Sequence, residues 1–302
     1  MNLRFMLLAA LAAFTLYYIW RWSSAVRAGD VPPGDVTGAP SPGQLILGFL
    51  TNFFDTLGIG SFAPTTSVFK FAKMVPDERI PGTLNVGHTL PTITQAFIFT
   101  LLVQVHFWTL VLMIAAAVLG AKLGAGVVSA WPRRNVQIGM GMALLAAAIL
   151  FSMRIFGIGP AGGTALELSG IKLAIGLAGN FALGALMSLG IGLYAPCMIL
   201  VSLLGMDPTA AYPIMMGSCA FLMPIGSAKF IQKRRYSLKP ALGLALGGIP
   251  AVLVAAFWVK SLELNTVRVL VVVVVLVTAF MMLRSAMAER NVSVPEGAPA
   301  GS

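Results

Sequence analysis

Two short segments carry the residue types best suited to binding chemistry. The first is Gly58-Ile59-Gly60-Ser61-Phe62-Ala63-Pro64-Thr65-Thr66, and the second is Gly190-Ile191-Gly192-Leu193-Tyr194-Ala195-Pro196-Cys197. Both interrupt apolar runs. Glycine permits unwound backbone and close approach, and proline, lacking an amide hydrogen, suits the first turn of a new helix. Each segment therefore reads as helix, short unwound stretch, new helix. The free N–H groups of the new helix, at the positive end of its dipole, can hold an anion without a full counter-charge. In hydrocarbon, unwound backbone survives only where it is buried in protein or lines a cavity. Small residues also serve plain helix packing, and Gly120-x-x-x-Gly124 and Gly243-x-x-x-Gly247 read that way.

Polar side chains cluster near these breaks. Asp55, with Asn52 and Thr56 beside it, is the one carboxylate inside an apolar run. An intramembrane acid is costly and marks a functional candidate. Asp55 could take a proton, orient the unwound backbone, or cap a segment end. Asn85, Gly87, His88 and Thr89 form a polar patch at the start of the next run, with Gly217, Ser218 and Cys219 as counterparts later in the chain. These groups could complete an anion's shell or simply hydrogen-bond between helices, and His88 could titrate near neutral pH. The candidate binding set is Asn52, Gly58, Gly60, Ser61, Pro64, Thr65, Thr66, Asn85, His88, Thr89, Gly190, Gly192, Tyr194, Pro196, Cys197, Gly217, Ser218 and Cys219. Asp55 and His88 are the proton-coupling candidates.

The elements that must position these residues are membrane helices. The chain is 58% hydrophobic and 10% charged, where a soluble domain carries about 25% charged residues. Only a bilayer can accommodate that much apolar surface. The net charge of +10 comes from basic residues between apolar runs, such as Arg133-Arg134 and Lys233-Arg234-Arg235. That is the pattern of cytoplasmic loops; without a basic stripe interleaved with aromatics, nucleic acid is not an expected partner. The two cysteines and two histidines show no metal-ligand spacing, so neither a disulfide scaffold nor a metal site nor any other cofactor is expected. No nucleophile elbow, Walker A or dinucleotide fingerprint occurs, and no enzyme is expected.

The first apolar run, about residues 3–20, ends in Tyr17-Tyr18-Ile19-Trp20-Arg21-Trp22. An aromatic end of this kind anchors a helix at an interface, so residues 1–22 read as a retained helix rather than a cleaved signal peptide. A Pro/Gly-rich loop follows at 23–43, and residues 288–302 read as a disordered polar tail. Between them, sliding the chain by 132 positions superposes Leu57-Gly58-Ile59-Gly60 on Leu189-Gly190-Ile191-Gly192 and Ala63-Pro64 on Ala195-Pro196. Met74, Pro76, Pro81 and Leu90 likewise fall on Met206, Pro208, Pro213 and Leu222. The chain thus divides into two repeats, 44–155 and 171–287, joined by a linker at 156–170. The expected fold is an all-α polytopic membrane protein with about seven to nine spans, each repeat holding a broken or re-entrant helix. The positive-inside rule favours inverted repeats, because only then do Lys70, Lys73, Arg79, Arg133 and Arg134 share a face with Lys229, Lys233, Arg234, Arg235 and Lys239. On that reading the N-terminus lies outside and the C-terminus in the cytoplasm.

Two apolar halves, each opening with Gly-x-Gly followed by Pro, and a Gly217-Ser218-Cys219 element similar to a Gly-Thr-Ser motif, resemble the TauE/SafE sulfite exporter family over roughly residues 44–286. The chain departs from the family's common Gly-Gly-Gly in having Gly-Ile-Gly. The resemblance implies a secondary transporter of the cell inner membrane, exporting sulfite, an organosulfonate or another small sulfur-containing anion. A coupled proton and an oligomeric assembly both stay open, as do two other readings, an anion channel and a non-transport membrane subunit.

Overall fold

The computed structural model describes residues 3–32, 38–58, 60–76, 79–124, 163–187, 192–260 and 264–290, together with helical positions 138, 142, 145, 149 and 152. Among the described residues the architecture is all-helical. The helices are α1 (Leu3–Arg27), α2 (Pro42–Thr56), α3 (Phe62–Phe71), α4 (Ile80–Leu102), α5 (Phe107–Leu119), α6 (Gly170–Met187), α7 (Tyr194–Leu203), α8 (Ala211–Gln232), α9 (Leu238–Lys260) and α10 (Leu264–Arg290). Among the described residues four segments are long and apolar enough to cross a membrane: Leu3–Arg27, Gly170–Met187, Pro208–Gln232 and Leu238–Trp258. The protein is accordingly a helical membrane protein. At 23 residues, or about 34 Å, α4 is as long as these. Its hydropathy is lowered by Thr83, Asn85, His88, Thr89, Thr92, Gln95 and Thr100, all of which are buried.

Local chemistry sets where the interrupted helices begin and stop. Ser41 and Gln44 form a reciprocal capping box ahead of Pro42 and start α2. Gly58 and Gly60, at φ of +100° and +88°, end it in the left-handed region. Helices α3 and α7 are both ten residues long, begin 132 positions apart, and carry Pro64 and Pro196 at their third position. An amide there would lack an intrahelical partner in any case.

Backbone contacts fix the directions of travel. Helices α4 and α8 run antiparallel. Thr83 near the start of α4 meets Ser237 beyond the end of α8, Thr89 meets Ser227, and Phe99 stacks on Tyr212. Helix α2 runs parallel to α9, with Gly48 against Gly243 and Leu244 and Asn52 against Gly248. Helix α6 runs parallel to α5 in the same way, with Asn180 on Met113 and Gly184 on Ala117. The second interrupted segment folds back on itself, since Gly179 of α6 faces Leu200 of α7 and Gly176 faces Leu204. In the first, Ser61 shares Asp55 with Gln95 of α4, while Thr65, one turn later, reaches His88, two turns nearer the start of α4. Helix α3 thus returns toward the end of the bundle where α2 began.

The close-packed glycines do what small residues do in membrane bundles. A Cβ at Gly247 would stand 2.1 Å from the Leu45 carbonyl oxygen, and one at Gly120 1.9 Å from that of Phe181. Helix α1 lies across α8 and α4. Phe14 packs edge-on against Phe221, and the buried Tyr18 hydroxyl donates to the Val86 carbonyl at 2.6 Å. Of the expected sequence features, Gly190, most of the 136–154 run, residues 156–162 of the linker and the tail beyond Arg290 lie outside the described residues.

Candidate functional site

The two breaks meet. A small, partly open cavity lies between the hairpin tips, lined by Asp55, Gly60, Ser61, Phe62 and Thr92 on one side. Met187, Gly192, Leu193, Tyr194, Cys219 and Met223 line the other. Gly60 and Gly192 have no neighbour within 4 Å of where a Cβ would stand. They are not packing glycines; their missing side chains are part of the open space.

A buried hydrogen-bonded chain ties the tips together. Asp55 ends α2 with its carboxylate turned toward the start of α3. Its Oδ1 accepts from the Ser61 backbone N–H at 2.6 Å, and its Oδ2 accepts from Gln95 Nε2 at 2.9 Å. Gln95 Nε2 also lies 3.1 Å from Thr56 Oγ1, and Gln95 Oε1 accepts from the Tyr194 hydroxyl at 2.5 Å. Tyr194 is the first residue of α7. The chain Ser61–Asp55–Gln95–Tyr194 therefore runs from one break to the other through α4.

His88 secures the first hairpin from behind. Asn52 gives its Nδ2 to the Gly48 carbonyl at 2.7 Å, which leaves its Oδ1 as an acceptor 2.9 Å from His88 Nδ1. That ring nitrogen accordingly carries a proton. His88 Nε2 lies 3.1 Å from Thr65 Oγ1, whose hydroxyl also reaches the Ser61 carbonyl at 2.7 Å. Phe62 stacks obliquely on the ring. Asn52, His88 and Thr65 thus hold the start of α3 against α4 without lining the cavity.

The two helix starts differ. At α3 the Ser61 N–H is already taken by Asp55, so the expected set of free amides is reduced by one there. At α7 the residue preceding the helix is Leu193, with no side-chain cap, and Met187 stands where the 132-residue correspondence puts Asp55's counterpart. Among the described residues neither Lys nor Arg lines the cavity.

Several expected site residues lie elsewhere. Thr89 bonds Ser227 at 3.0 Å, and Asn85 bonds the Pro81 carbonyl at 2.9 Å, both at the α4–α8 crossing. Ser218 accepts from Asn180 at 3.1 Å, while Gly217 packs against Ile114. Gly58 shapes the turn without lining the cavity. Pro64, Thr66, Pro196 and Cys197 sit in the hairpins but are not cavity-lining. Cys219 lines the cavity with its thiol 3.5 Å from Met187 Sδ. Among the described residues no group of three or more His, Cys, Asp and Glu is placed to hold a metal ion.

Sequence reasoning missed Phe62, Thr92, Met187, Leu193 and Met223 as cavity residues, and Gln95 as the bridge between the hairpins. For Gln95 and Thr92 a sign was present. His88, Thr92, Gln95 and Phe99 recur at steps of four, three and four, which puts them on one face of α4. No protein-family model, curated protein or solved structure matches the chain.

Proposed function

We propose that the chain is a secondary transporter of a small sulfur-containing anion, of the kind the TauE/SafE resemblance implies, acting in the cell inner membrane. One observation carries the reading: a cavity between the tips of two helical hairpins, lined by residues of both Gly-x-Gly segments. Broken helices that meet near the middle of a bundle are how transporters build a central site.

The inverted-repeat part of the proposal draws support from direction. Helices α4 and α8 are counterparts at the 132-residue offset, yet they run antiparallel. Exchanging the halves turns the α2–α9 pairing into α6–α5, and both pairings are parallel. It also brings α2–α3 onto α6–α7, one hairpin rising from each end of the bundle. On this reading the hairpins do not span. The spans are α1, α4, α5, the 136–154 run, α8, α9 and α10, seven in all. Arg27, Arg79, Lys233, Arg234 and Arg235 gather at one end, where Arg234 pairs with Asp30, and that end is the cytoplasmic one by the positive-inside rule. The C-terminus faces the cytoplasm and the N-terminus the outside. Rocking of one half against the other would open the cavity to each side in turn.

The test is flux in proteoliposomes over a panel of sulfite, methanesulfonate, sulfoacetate, thiosulfate and sulfate. Saturable movement of at least one sulfur anion that competes with others is expected. Conductance without saturation would make the chain a channel, and no movement of any of the five would remove the transport reading.

A further inference from the structure

The charge balance of the cavity has a consequence for what must accompany an anion there. The described groups placed against Asp55 are the Ser61 backbone on α3, Gln95 on α4, Tyr194 on α7 and Cys219 on α8. Among the described residues, helix α9 brings no ionisable side chain to the cavity, and neither Lys nor Arg lines it. His88 is spoken for by Asn52 and Thr65, on the far side of Phe62. An anion in this space therefore meets an ionised carboxylate with no cation to offset it. At about 4 Å and the effective dielectric of a protein interior, that repulsion lowers affinity by about a thousandfold.

The hydrogen bonds add a second argument. Ionised Asp55 accepts one donor on each oxygen, the Ser61 N–H and the Gln95 amide. A protonated carboxyl carries a donor of its own and cannot face two N–H groups equally well. One of them is then released, and the Ser61 N–H is the one at the start of α3. The carboxylate and an incoming anion compete for that same amide.

We infer that the cavity takes an anion and a proton together, with Asp55 as the proton's seat, so that the chain is a one-to-one proton–anion symporter. This rests on the transport reading above. The step is a simple protonation. A proton adds to the Asp55 carboxylate as the anion binds and leaves from it on the other side as the anion is released. A monoanion then crosses without net charge, and a dianion carries one negative charge. Accumulation of the anion follows the pH gradient toward the alkaline side.

The experiment uses the full chain in proteoliposomes with an internal pH indicator and clamped potential. Methanesulfonate and thiosulfate are the probes, since as strong-acid anions neither brings its own proton. Expected is anion influx with internal acidification at one proton per anion, rising up to about tenfold per unit of external acidification, the one-proton limit. Asp55→Asn should lose both the acidification and the pH dependence in whatever anion movement it retains, and Asp55→Glu should keep coupling. Should Asp55→Asn fail to fold, infrared difference spectra of the wild type decide instead. Adding anion at fixed pH must convert a carboxylate band to a carboxylic C=O band. Anion flux without proton movement, coupling that survives Asp55→Asn, or no infrared change would overturn the inference and leave the transporter standing. Absence of flux for every anion would overturn both.

Discussion

Glycines of this chain fall into two kinds, and a pair of alanine substitutions separates them. Gly184 and Gly192 are eight residues apart. A Cβ at Gly184 would stand 2.0 Å from the Ala117 carbonyl oxygen, whereas ordinary contact begins near 3.4 Å. Gly184→Ala therefore forces α6 and α5 apart by about 1.4 Å. Overpacking of this sort costs about 1–3 kcal/mol. Gly192 has nothing within 4 Å and no left-handed φ. Gly192→Ala should leave stability within about 0.5 kcal/mol of the wild type, because the added methyl enters the cavity rather than a helix contact. Flux is expected to fall by about tenfold, equivalent to about 1.4 kcal/mol of lost fit. Gly60→Ala belongs between the two. Its space is open, but a φ of +88° adds about 1–2 kcal/mol for any L side chain. Stability is read by equilibrium unfolding in mixed micelles and flux in proteoliposomes. If Gly192→Ala destabilises as much as Gly184→Ala, or transports at the wild-type rate, the division of glycines into packing and cavity kinds is wrong.

Three further outcomes follow from the hydrogen bonds and helix directions. Tyr194→Phe and Gln95→Leu each leave a buried partner unmatched and should cost about 1–3 kcal/mol. Their double mutant should recover about 0.6–1.7 kcal/mol of the sum, the range for interhelical bonds in membranes, and additivity within about 0.3 kcal/mol in the same unfolding assay would deny the link between the hairpin tips. His88→Leu strands Asn52 Oδ1 and frees α3 from α4. It should destabilise by about 1–3 kcal/mol and raise protease sensitivity at residues 72–76, whereas an unchanged digestion pattern would contradict the anchoring role. In a background with Cys197 and Cys219 replaced by serine, single cysteines at the exposed Arg235 and Glu167 should react with an impermeant maleimide from opposite sides of the bilayer. Labelling from the same side would refute the assignment of the bundle's two ends.

The helical class was legible because composition alone demands a bilayer, and both interruptions were legible because Gly-x-Gly and Pro recur at one offset. Whether the breaks reverse the chain was not. A run such as 171–205 is long enough to cross, and only the facing of Gly179 with Leu200 and of Gly176 with Leu204 shows the return. The polar residues were harder still. Thr89, Asn85 and Ser218 look like ligands in the sequence, yet Thr89 and Ser218 are used up between helices and Asn85 turns back on the Pro81 carbonyl of its own helix. Gln95 looked like nothing in particular and bridges the two hairpins.

That difficulty has a physical root in the mismatch between backbone and side chains. At the 132-residue offset, helix starts and contact partners correspond, but chemistry does not. Asp55 falls on Met187, Tyr194 on Phe62, Gln95 on Ser227 and His88 on Ala220. The first half supplies an acid and the amide that presents it, and the second supplies the phenol that closes the chain. Had both halves carried an acid at position 55 or its counterpart, two carboxylates would face one small cavity, and like charges cannot both stay ionised there. A single acid against a sulfur-bearing wall of Met187, Cys219 and Met223 avoids that conflict. The proposed site is thus single and lopsided on a paired frame. Met187→Asp should accordingly leave the stoichiometry at one proton per anion, because the pair already holds one proton when empty, and shift the pH at which coupled flux sets in, where a purely structural position would change only yield.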